Sequence, residues 1–179
     1  MGQTVFIPRE LDANEPRVAA SPETVKRMAG LGFEVIVEKG AGLGSRITDQ
    51  EFVTAGGTIG TAGDAKNADV VLKVRRPTDA ELKGYKSGAA VIAIMDPYGN
   101  DAALAAMASA GITAFSMEFM PRITRAQVMD VLSSQANLAG YQAVVDAAAE
   151  YDRALPMMMT AAGTVPAAKT FIMGVGVAG

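Results

Sequence analysis

Three glycines near the carboxyl end of the chain have a spacing that is typical of dinucleotide binding. The sequence ends in KTFIMGVGVAG, which places Gly174, Gly176 and Gly179 in the pattern G-x-G-x-x-G. In that pattern the first glycine permits a tight turn, the second lets a pyrophosphate approach the backbone, and the third allows close packing of a helix. The positive end of the following helix would hold the phosphates. The pattern is short, and a glycine-rich turn in any α/β protein could imitate it.

The sequence stops at Gly179, where that helix should begin. The acidic residue that binds the ribose hydroxyl is expected about 20 positions further on, so the sequence does not reveal a preference for one dinucleotide over another. We therefore expect the chain to be a fragment of a longer protein.

A second group of polar residues lies in the segment PRITRAQVMD, residues 121–130. Arg122 carries a planar guanidinium that can bind a carboxamide, a phosphate or a carboxylate. Gln127 and Asp130 are three positions apart, and on a helix they would share a face. The segment follows a predicted strand, where open α/β sheets place their ligands. The alternative interpretation is an ordinary helix start whose charges face water.

Two cations in the first half of the chain also require an explanation. Arg17 lies in EPRVAASPE, just before a predicted helix, and Lys73 interrupts the apolar strand DVVLKV. A lysine in a buried strand is costly unless it is paired or faces a cleft. We favour the alternative that Lys73 lies near the strand end and reaches solvent through its flexible stem.

The composition excludes several kinds of chemistry. The 179 residues include no histidine and no cysteine, half are apolar, a fifth are charged, and the net charge is −3. The absence of imidazole and thiol excludes serine and cysteine triads, disulfides, and histidine or thiolate metal sites, so we predict no metal centre. The charge does not favour a nucleic-acid surface. With no long apolar run and no signal peptide, we expect a protein of the cytoplasm.

The elements that must position these residues alternate between strand and helix. Strands are predicted at 4–7, 33–37, 69–74, 90–95 and 112–117, and helices at 22–29, 79–86 and 101–110, with a further helix starting near Thr48. This alternation predicts an α/β lobe with a doubly wound, mainly parallel sheet, Rossmann- or flavodoxin-like.

The rest of the chain predicts a different organisation. We expect an N-terminal α/β lobe over residues 1–123 and a long connecting helix over 124–155, which contains one glycine and no proline. Residues 156–179 would begin a second Rossmann lobe that binds NAD, with a strand at 170–173 just before the glycines.

Several of these segments resemble a known family. The stretches PRITRAQVMDVLSSQANLAGY, PMMMTAAGTVP and GVGVAG closely resemble the NAD(H)-binding alpha component of proton-translocating NAD(P) transhydrogenase. The stretches EPRVAASPE and DVVLKVRRP are similar both to that family and to its relative alanine dehydrogenase. The resemblance covers essentially the whole chain.

The resemblance implies that NAD(H) binds in a cleft and that a loop of this chain gathers around the nicotinamide end. Gln127 and Asp130 would position the nicotinamide. By motif match, the residues that would contact the cofactor are Arg122, Ile123, Thr124, Gln127, Val128, Met129, Asp130, Ser133, Gly174, Val175, Gly176, Val177 and Gly179.

The resemblance also implies partners. Members of the family are dimers that dock on a separate NADP(H)-binding beta component, which is attached to a membrane proton channel. We therefore expect a homodimer that has no membrane span of its own and lies at the inner membrane through its partners.

The missing histidine favours the transhydrogenase over its relative. Alanine dehydrogenase moves a substrate proton with a histidine and a lysine, whereas hydride transfer between two nicotinamide rings needs positioning rather than an acid or base. We thus expect hydride transfer from NADH to NADP+, coupled to proton translocation, with Arg17 and Lys73 as structural residues. Two alternatives stay open: an amino-acid oxidoreductase with Arg17 and Lys73 at its substrate, and an inactive fragment that only dimerises.

Overall fold

The computed structural model describes residues 2–179, which form two compact units that divide after Phe119. We call residues up to Phe119 unit 1 and the residues from Met120 unit 2. Unit 1 contains a six-stranded sheet with its helices, and unit 2 contains a long helix, a small hairpin and the glycine-rich end of the chain.

The sheet of unit 1 is entirely parallel. Its strands are β1 (Thr4–Ile7), β2 (Glu34–Glu38), β3 (Thr58–Gly60), β4 (Val70–Arg75), β5 (Ala90–Ile94) and β6 (Thr113–Ser116). They lie in the order β3-β2-β1-β4-β5-β6, so the direction of winding reverses between β1 and β4. This arrangement confirms the predicted α/β fold with a doubly wound sheet.

Four α-helices connect these strands, and local sequence signals start them. The helices are α1 (Pro22–Gly30), α2 (Asp49–Thr54), α3 (Asp79–Leu82) and α4 (Asp101–Ser109). The Ser21 side chain accepts a hydrogen bond from the Thr24 N–H, and Pro22 occupies the first turn of α1. Thr78 and Glu81 form a reciprocal capping box at α3. Both arrangements satisfy N–H groups that the first turn of a helix would otherwise leave unpaired.

The central strands are buried on both faces, which explains their continuous apolar character. Val5 and Ile7 of β1 pack into one cluster with Phe52, while Phe6 packs into the other cluster with Val91. The alternation places successive side chains on opposite faces of the sheet, and helices cover both faces.

Two elements of unit 1 differ from the prediction. Strand β3 is new, because its three residues, which follow Gly56 and Gly57, are too few to show a pattern; Ile59 pairs with Val37 of β2. The helix predicted over 79–86 ends at Leu82, because the Gly84 N–H bonds the carbonyl of Glu81 and tightens the last turn.

Unit 2 contains the helix α5 (Val131–Glu150), preceded by a 3-10 turn at Thr124–Met129. The helix predicted over 124–155 is therefore shorter at both ends. Asp130 adopts extended backbone and caps the helix, which fixes its start, and Tyr151 is also extended, which ends it. No helix among residues 2–179 combines the length and apolarity that a bilayer span requires. The division of the chain into three segments at 123 and 155 stays a prediction.

The predicted strand at 170–173 is wrong. A strand needs a neighbour to receive its backbone hydrogen bonds, and within residues 2–179 no strand pairs with this segment. Phe171 and Met173 are largely exposed. Strands form earlier instead, as an antiparallel hairpin of β7 (Met158–Thr160) and β8 (Gly163–Val165), around a turn that starts at Ala161.

Lys73 is buried rather than extended into solvent, so the interpretation favoured from the sequence is wrong. Its side chain is 1% exposed, and Nζ lies 2.6 Å from Glu81 Oε1 and 3.4 Å from Glu10 Oε2. Glu10 also accepts a hydrogen bond from the Val74 N–H. The lysine is therefore tolerated in the strand because two carboxylates neutralise it.

We predict that Lys73→Ala lowers the free energy of unfolding by about 3 to 5 kcal/mol, because it leaves two buried carboxylates without a cation. Urea denaturation followed by circular dichroism measures the loss. Lys86→Ala is the matched control, since Lys86 pairs with Asp69 at a partly exposed site and its loss should lower the free energy of unfolding much less. Equal losses in the two variants would contradict a structural role for Lys73.

Candidate functional site

A cavity of about 410 Å³ lies within unit 2, between the first half of α5 and the end of the chain. We call the segment Gly174–Gly179 the glycine turn. The cavity is lined by Arg122, Leu132, Ser133, Ala136, Met173, Gly174, Gly176, Val177, Ala178 and Gly179. It brings together the two segments that the sequence singled out separately, and it is the candidate site.

The start of α5 is held by a network around Asp130. The carboxylate accepts hydrogen bonds from the Ser133 N–H at 3.0 Å and from the Ser133 Oγ at 2.6 Å. These bonds, with a contribution from the charge of Arg122, lower the pKa of Asp130. Asp130 is thus ionised at neutral pH, and its charge anchors the helix and the Ser133 side chain that lines the cavity.

Arg122 gives the cavity its charge. It is the single charged residue among those that line the cavity in the described part of the chain. A guanidinium presents a planar set of N–H donors that match a phosphate, a carboxylate or a carboxamide. No acidic side chain is among the described residues that line the cavity, which favours a ligand with a negative charge.

The glycine turn has the conformation that its sequence predicts. Gly174 has φ +97°, a value that other residues rarely adopt, so the turn requires glycine at that position. A Cβ on Gly179 would overlap the carbonyl oxygen of Gly174, which shows that the turn closes on itself. Bare backbone therefore faces the cavity, where its N–H groups can approach a ligand.

The structure brings only some of the predicted contact residues to the cavity. The predicted residues that line it are Arg122, Ser133, Gly174, Gly176, Val177 and Gly179. The predicted residues outside the lining are Ile123, Thr124, Gln127, Val128, Met129, Asp130 and Val175. Asp130 acts on the cavity through Ser133, and Gln127 lies in the 3-10 turn, where its carbonyl accepts the Asp130 N–H. Gln127 and Asp130 do not lie within the predicted α-helix, because α5 begins after both; that their side chains share a face stays a prediction.

Sequence reasoning missed the face of α5 that supports the glycine turn. Ser133 and Ala136 line the cavity, and Gly140, one turn further along, lies against Ala178. These residues have the helical spacing i, i+3, i+7, which places them on one face. That spacing of small residues was visible in the sequence.

A separate cluster in unit 1 contains Arg17 but not Lys73. Glu15 is 2% exposed, and it accepts hydrogen bonds from Arg17 Nε at 2.6 Å, Arg17 Nη2 at 2.7 Å and Arg75 Nε at 2.9 Å. The bonds from Arg17, followed by the bond from Arg75, lower the pKa of Glu15 to about 2 against the opposing effect of burial. Arg75 of β4, which the sequence analysis did not single out, shares the Glu15 carboxylate with Arg17.

Two family models together match nearly the entire chain. The model of the alanine dehydrogenase/PNT N-terminal domain matches residues 6–139, and the model of the C-terminal domain matches residues 143–179. The chain is 54% identical to the first part of NAD(P) transhydrogenase subunit alpha of Rhodospirillum rubrum, over 98% of this chain and 47% of that protein. It is 44% identical to NAD(P) transhydrogenase subunit alpha of Haemophilus influenzae, over 98% of this chain and 34% of that protein.

Solved structures agree with the sequence comparisons. The crystal structure of a transhydrogenase from Sinorhizobium meliloti is 72% identical, with a TM-score of 0.95 over 99% of this chain and 53% of that one. An L-alanine dehydrogenase is 25% identical, with a TM-score of 0.75 over 82% of this chain and 40% of that one. The chain thus spans about half the length, or less, of the relatives it matches, and the resemblance inferred from its motifs is confirmed.

We predict that the contribution of Glu15 to stability depends on pH. Its pKa is about 2 in the folded chain and 4.5 as the ordinary value, so the stabilisation is complete above pH 4.5 and is lost as the pH falls towards 2. The pH-dependent part of the difference in free energy of unfolding between the wild type and Glu15→Gln is about 3 kcal/mol at pH 7 and shrinks on acidification. Urea denaturation at a series of pH values measures it.

Glu23→Gln is the control for that series, because the Glu23–Arg27 pair is exposed and should contribute little at any pH. A difference between the wild type and Glu15→Gln that stays constant from pH 7 to pH 3 would contradict the assigned pKa.

We also predict that Asp130→Ala lowers the melting temperature and the helix content, because α5 loses its cap. Asp130→Asn should melt close to the wild type, since its amide oxygen can still accept the Ser133 N–H. Thermal melts followed by circular dichroism distinguish the two variants. An alanine variant that melts like the wild type would show that this carboxylate does not hold the helix start.

Proposed function

Since the chain belongs to the alanine dehydrogenase/PNT family, we propose that it forms a portion of the NAD(H)-binding alpha component of an NAD(P) transhydrogenase. In this proposal NADH binds in unit 2, and its hydride passes directly to NADP+ on a separate component. Proton translocation takes place in a membrane component to which that partner is attached. The chain itself acts as a homodimer and reaches the membrane through its partners.

The observation that carries the proposal is that Arg122 and the glycine turn line one cavity. A dinucleotide carries a diphosphate between two ribosyl groups, so its site needs backbone donors for the phosphates and polar groups at the ends. The turn offers bare backbone, and Arg122 offers a cation without a competing carboxylate in the lining. The names of the two transhydrogenase subunits above support the choice of cofactor.

Each residue of the site has a role in holding the ligand. The glycine turn lets the pyrophosphate and the adjoining ribose approach the backbone. Arg122 orients the carboxamide and the ribose at the nicotinamide end, and the family resemblance assigns the same task to Gln127, which lies outside the cavity lining. Ser133 gives its own hydroxyl hydrogen to Asp130, so its oxygen is left to accept a hydrogen bond from the ligand. Asp130 keeps Ser133 and the start of α5 in place.

The proposed hydride transfer requires only that the two nicotinamide rings are held in the correct orientation. NADH supplies the hydride, and its transfer to a second nicotinamide ring removes no proton from oxygen or nitrogen. This chain has no histidine or cysteine, and its site residues bind and orient rather than exchange protons. Holding two reactants in the reactive geometry is itself a large source of rate enhancement.

The structure disfavours the amino-acid oxidoreductase considered from the sequence. Lys73 would have to meet a substrate, but its ammonium is buried between Glu81 and Glu10. Arg17 binds Glu15 through two of its nitrogens. Neither cation is presented as a proton donor to an incoming substrate, because each is held by a carboxylate of its own unit.

We predict that Arg122→Ala and Gln127→Ala, made in the full-length gene product, slow hydride transfer by on the order of 100-fold while folding is unchanged. Stopped-flow absorbance of NADH oxidation by an NADP+ analogue, with the NADP(H)-binding component present, measures the rate. Arg125→Ala is the matched control for Arg122→Ala, because Arg125 lies in the same segment but does not line the cavity. Gln127 does not line the cavity either, so Gln127→Ala tests the role that the family resemblance assigns to it.

Wild-type rates in both Arg122→Ala and Gln127→Ala would remove this segment from the site. Production of NADH from L-alanine by the full-length protein alone would replace the proposal with the amino-acid oxidoreductase.

A further inference from the structure

Gly140 occupies a position in α5 where glycine is unfavourable for the helix itself. It lies in the interior of the helix Val131–Glu150, and glycine is the poorest helix former after proline. The sequence of α5 is otherwise rich in alanine and other good helix formers. A glycine retained there needs a reason in the packing.

The packing reason is the backbone of the glycine turn. A Cβ built on Gly140 would overlap the carbonyl oxygen of Ala178, and it would lie 3.0 Å from the Ala178 carbonyl carbon and 3.2 Å from its Cα. All three atoms belong to backbone, which cannot rotate away as a long side chain would. Any side chain at residue 140 therefore displaces the turn from the helix.

Gly140 continues the face of α5 that lines the cavity. Ser133 and Ala136 lie on this face, two turns and one turn nearer the start of the helix. We call Ser133, Ala136 and Gly140 the small-residue groove. Arg122 lines the same cavity and is close enough to the helix cap Asp130 to lower its pKa, while Ala178 of the turn lies against Gly140. The depth of the groove at Gly140 thus sets how far the N–H groups of the turn lie from Arg122.

We infer that Gly140 is a positioning residue of the dinucleotide site. Its missing side chain fixes the span between the guanidinium and the turn, and that span selects ligands whose diphosphate reaches the turn. This inference rests on the proposed function for the identity of the ligand. A displacement of about 1 Å at a site of this kind can lower the reaction rate by about 100-fold.

The test measures the affinity of Gly140→Ala for three ligands of different reach, in the full-length gene product. The ligands are NADH, ADP-ribose, which carries the diphosphate without nicotinamide, and reduced nicotinamide mononucleotide, which does not reach the turn. Fluorescence titration and calorimetry give the dissociation constants. We expect NADH and ADP-ribose to bind about 10-fold or more weakly, and the mononucleotide to bind as in the wild type.

Gly30→Ala is the matched control, since it also adds one methyl group to a helical glycine. A Cβ on Gly30, at the end of α1, meets no atom within 4 Å. This variant should bind all three ligands as the wild type does and should melt no lower. Gly140→Ala should melt lower, opposite to the usual effect of replacing a helical glycine by alanine.

The outcomes separate this inference from the proposed function. If the wild type and Gly140→Ala bind NADH with equal affinity, the inference is overturned and the proposed function stands. An equal loss of affinity for all three ligands would indicate general damage and would also overturn the inference. If the wild-type protein binds no NADH, the proposed function is overturned. The part of the inference that concerns the dinucleotide is then overturned too. The melting temperature then still tests the contact with Ala178.

A second variant covers the case in which Gly140→Ala does not fold. Ala136→Ser adds one oxygen to the groove at a position that lines the cavity. This variant leaves Gly140 unchanged and so avoids the overlap with the Ala178 backbone. We expect a smaller loss of ADP-ribose affinity and no change for the mononucleotide. Unchanged ADP-ribose affinity in a folded Ala136→Ser variant would overturn the inference.

Discussion

The candidate site depends on one close approach of backbone to backbone: the glycine turn lies directly on helix α5 at Gly140. The contact has no room for a side chain on the helix, and the turn itself needs the positive φ of Gly174. Three glycines of the turn, which carry no side chain, therefore line the cavity. Everything proposed for the ligand follows from this arrangement, because a diphosphate is recognised by backbone N–H groups and not by the apolar residues around them.

The charges near the cavity are divided between two tasks. Asp130 and Arg122 are close enough to influence each other, yet the carboxylate is bonded to Ser133 and caps the start of the helix. The guanidinium is then the charged group that borders the cavity. In unit 1 the opposite holds, because Lys73 and Arg17 are both bound to carboxylates. Arg122 therefore borders the cavity of unit 2, whereas Lys73 and Arg17 are occupied by carboxylates of unit 1.

The sequence predicts the sheet well and the termini of elements poorly. The alternation of apolar strands with capped helices was enough to predict the α/β fold. The three residues of β3 are too few to show the alternating pattern of a strand. The start of α5 was missed because the segment Thr124–Met129 has helical composition, and only the hydrogen bonds of Asp130 determine that the helix begins after it. Lys73 was misjudged because its partner Glu81 lies on the next helix. The spacing of residues along the sequence does not predict ion pairs between separate elements. It does not predict the contact between Gly140 and Ala178 either.

The central claim is that a hydride moves directly between two bound nicotinamide rings, with no exchange of protons through a side chain. Its most direct test uses NADH deuterated at the transferred position of C4, with the full-length protein, its NADP(H)-binding component and NADP+. Mass spectrometry of the NADPH formed measures where the deuterium goes. The account predicts that the label appears in NADPH in full, with none lost to water. NADPH that carries hydrogen from the solvent would contradict it.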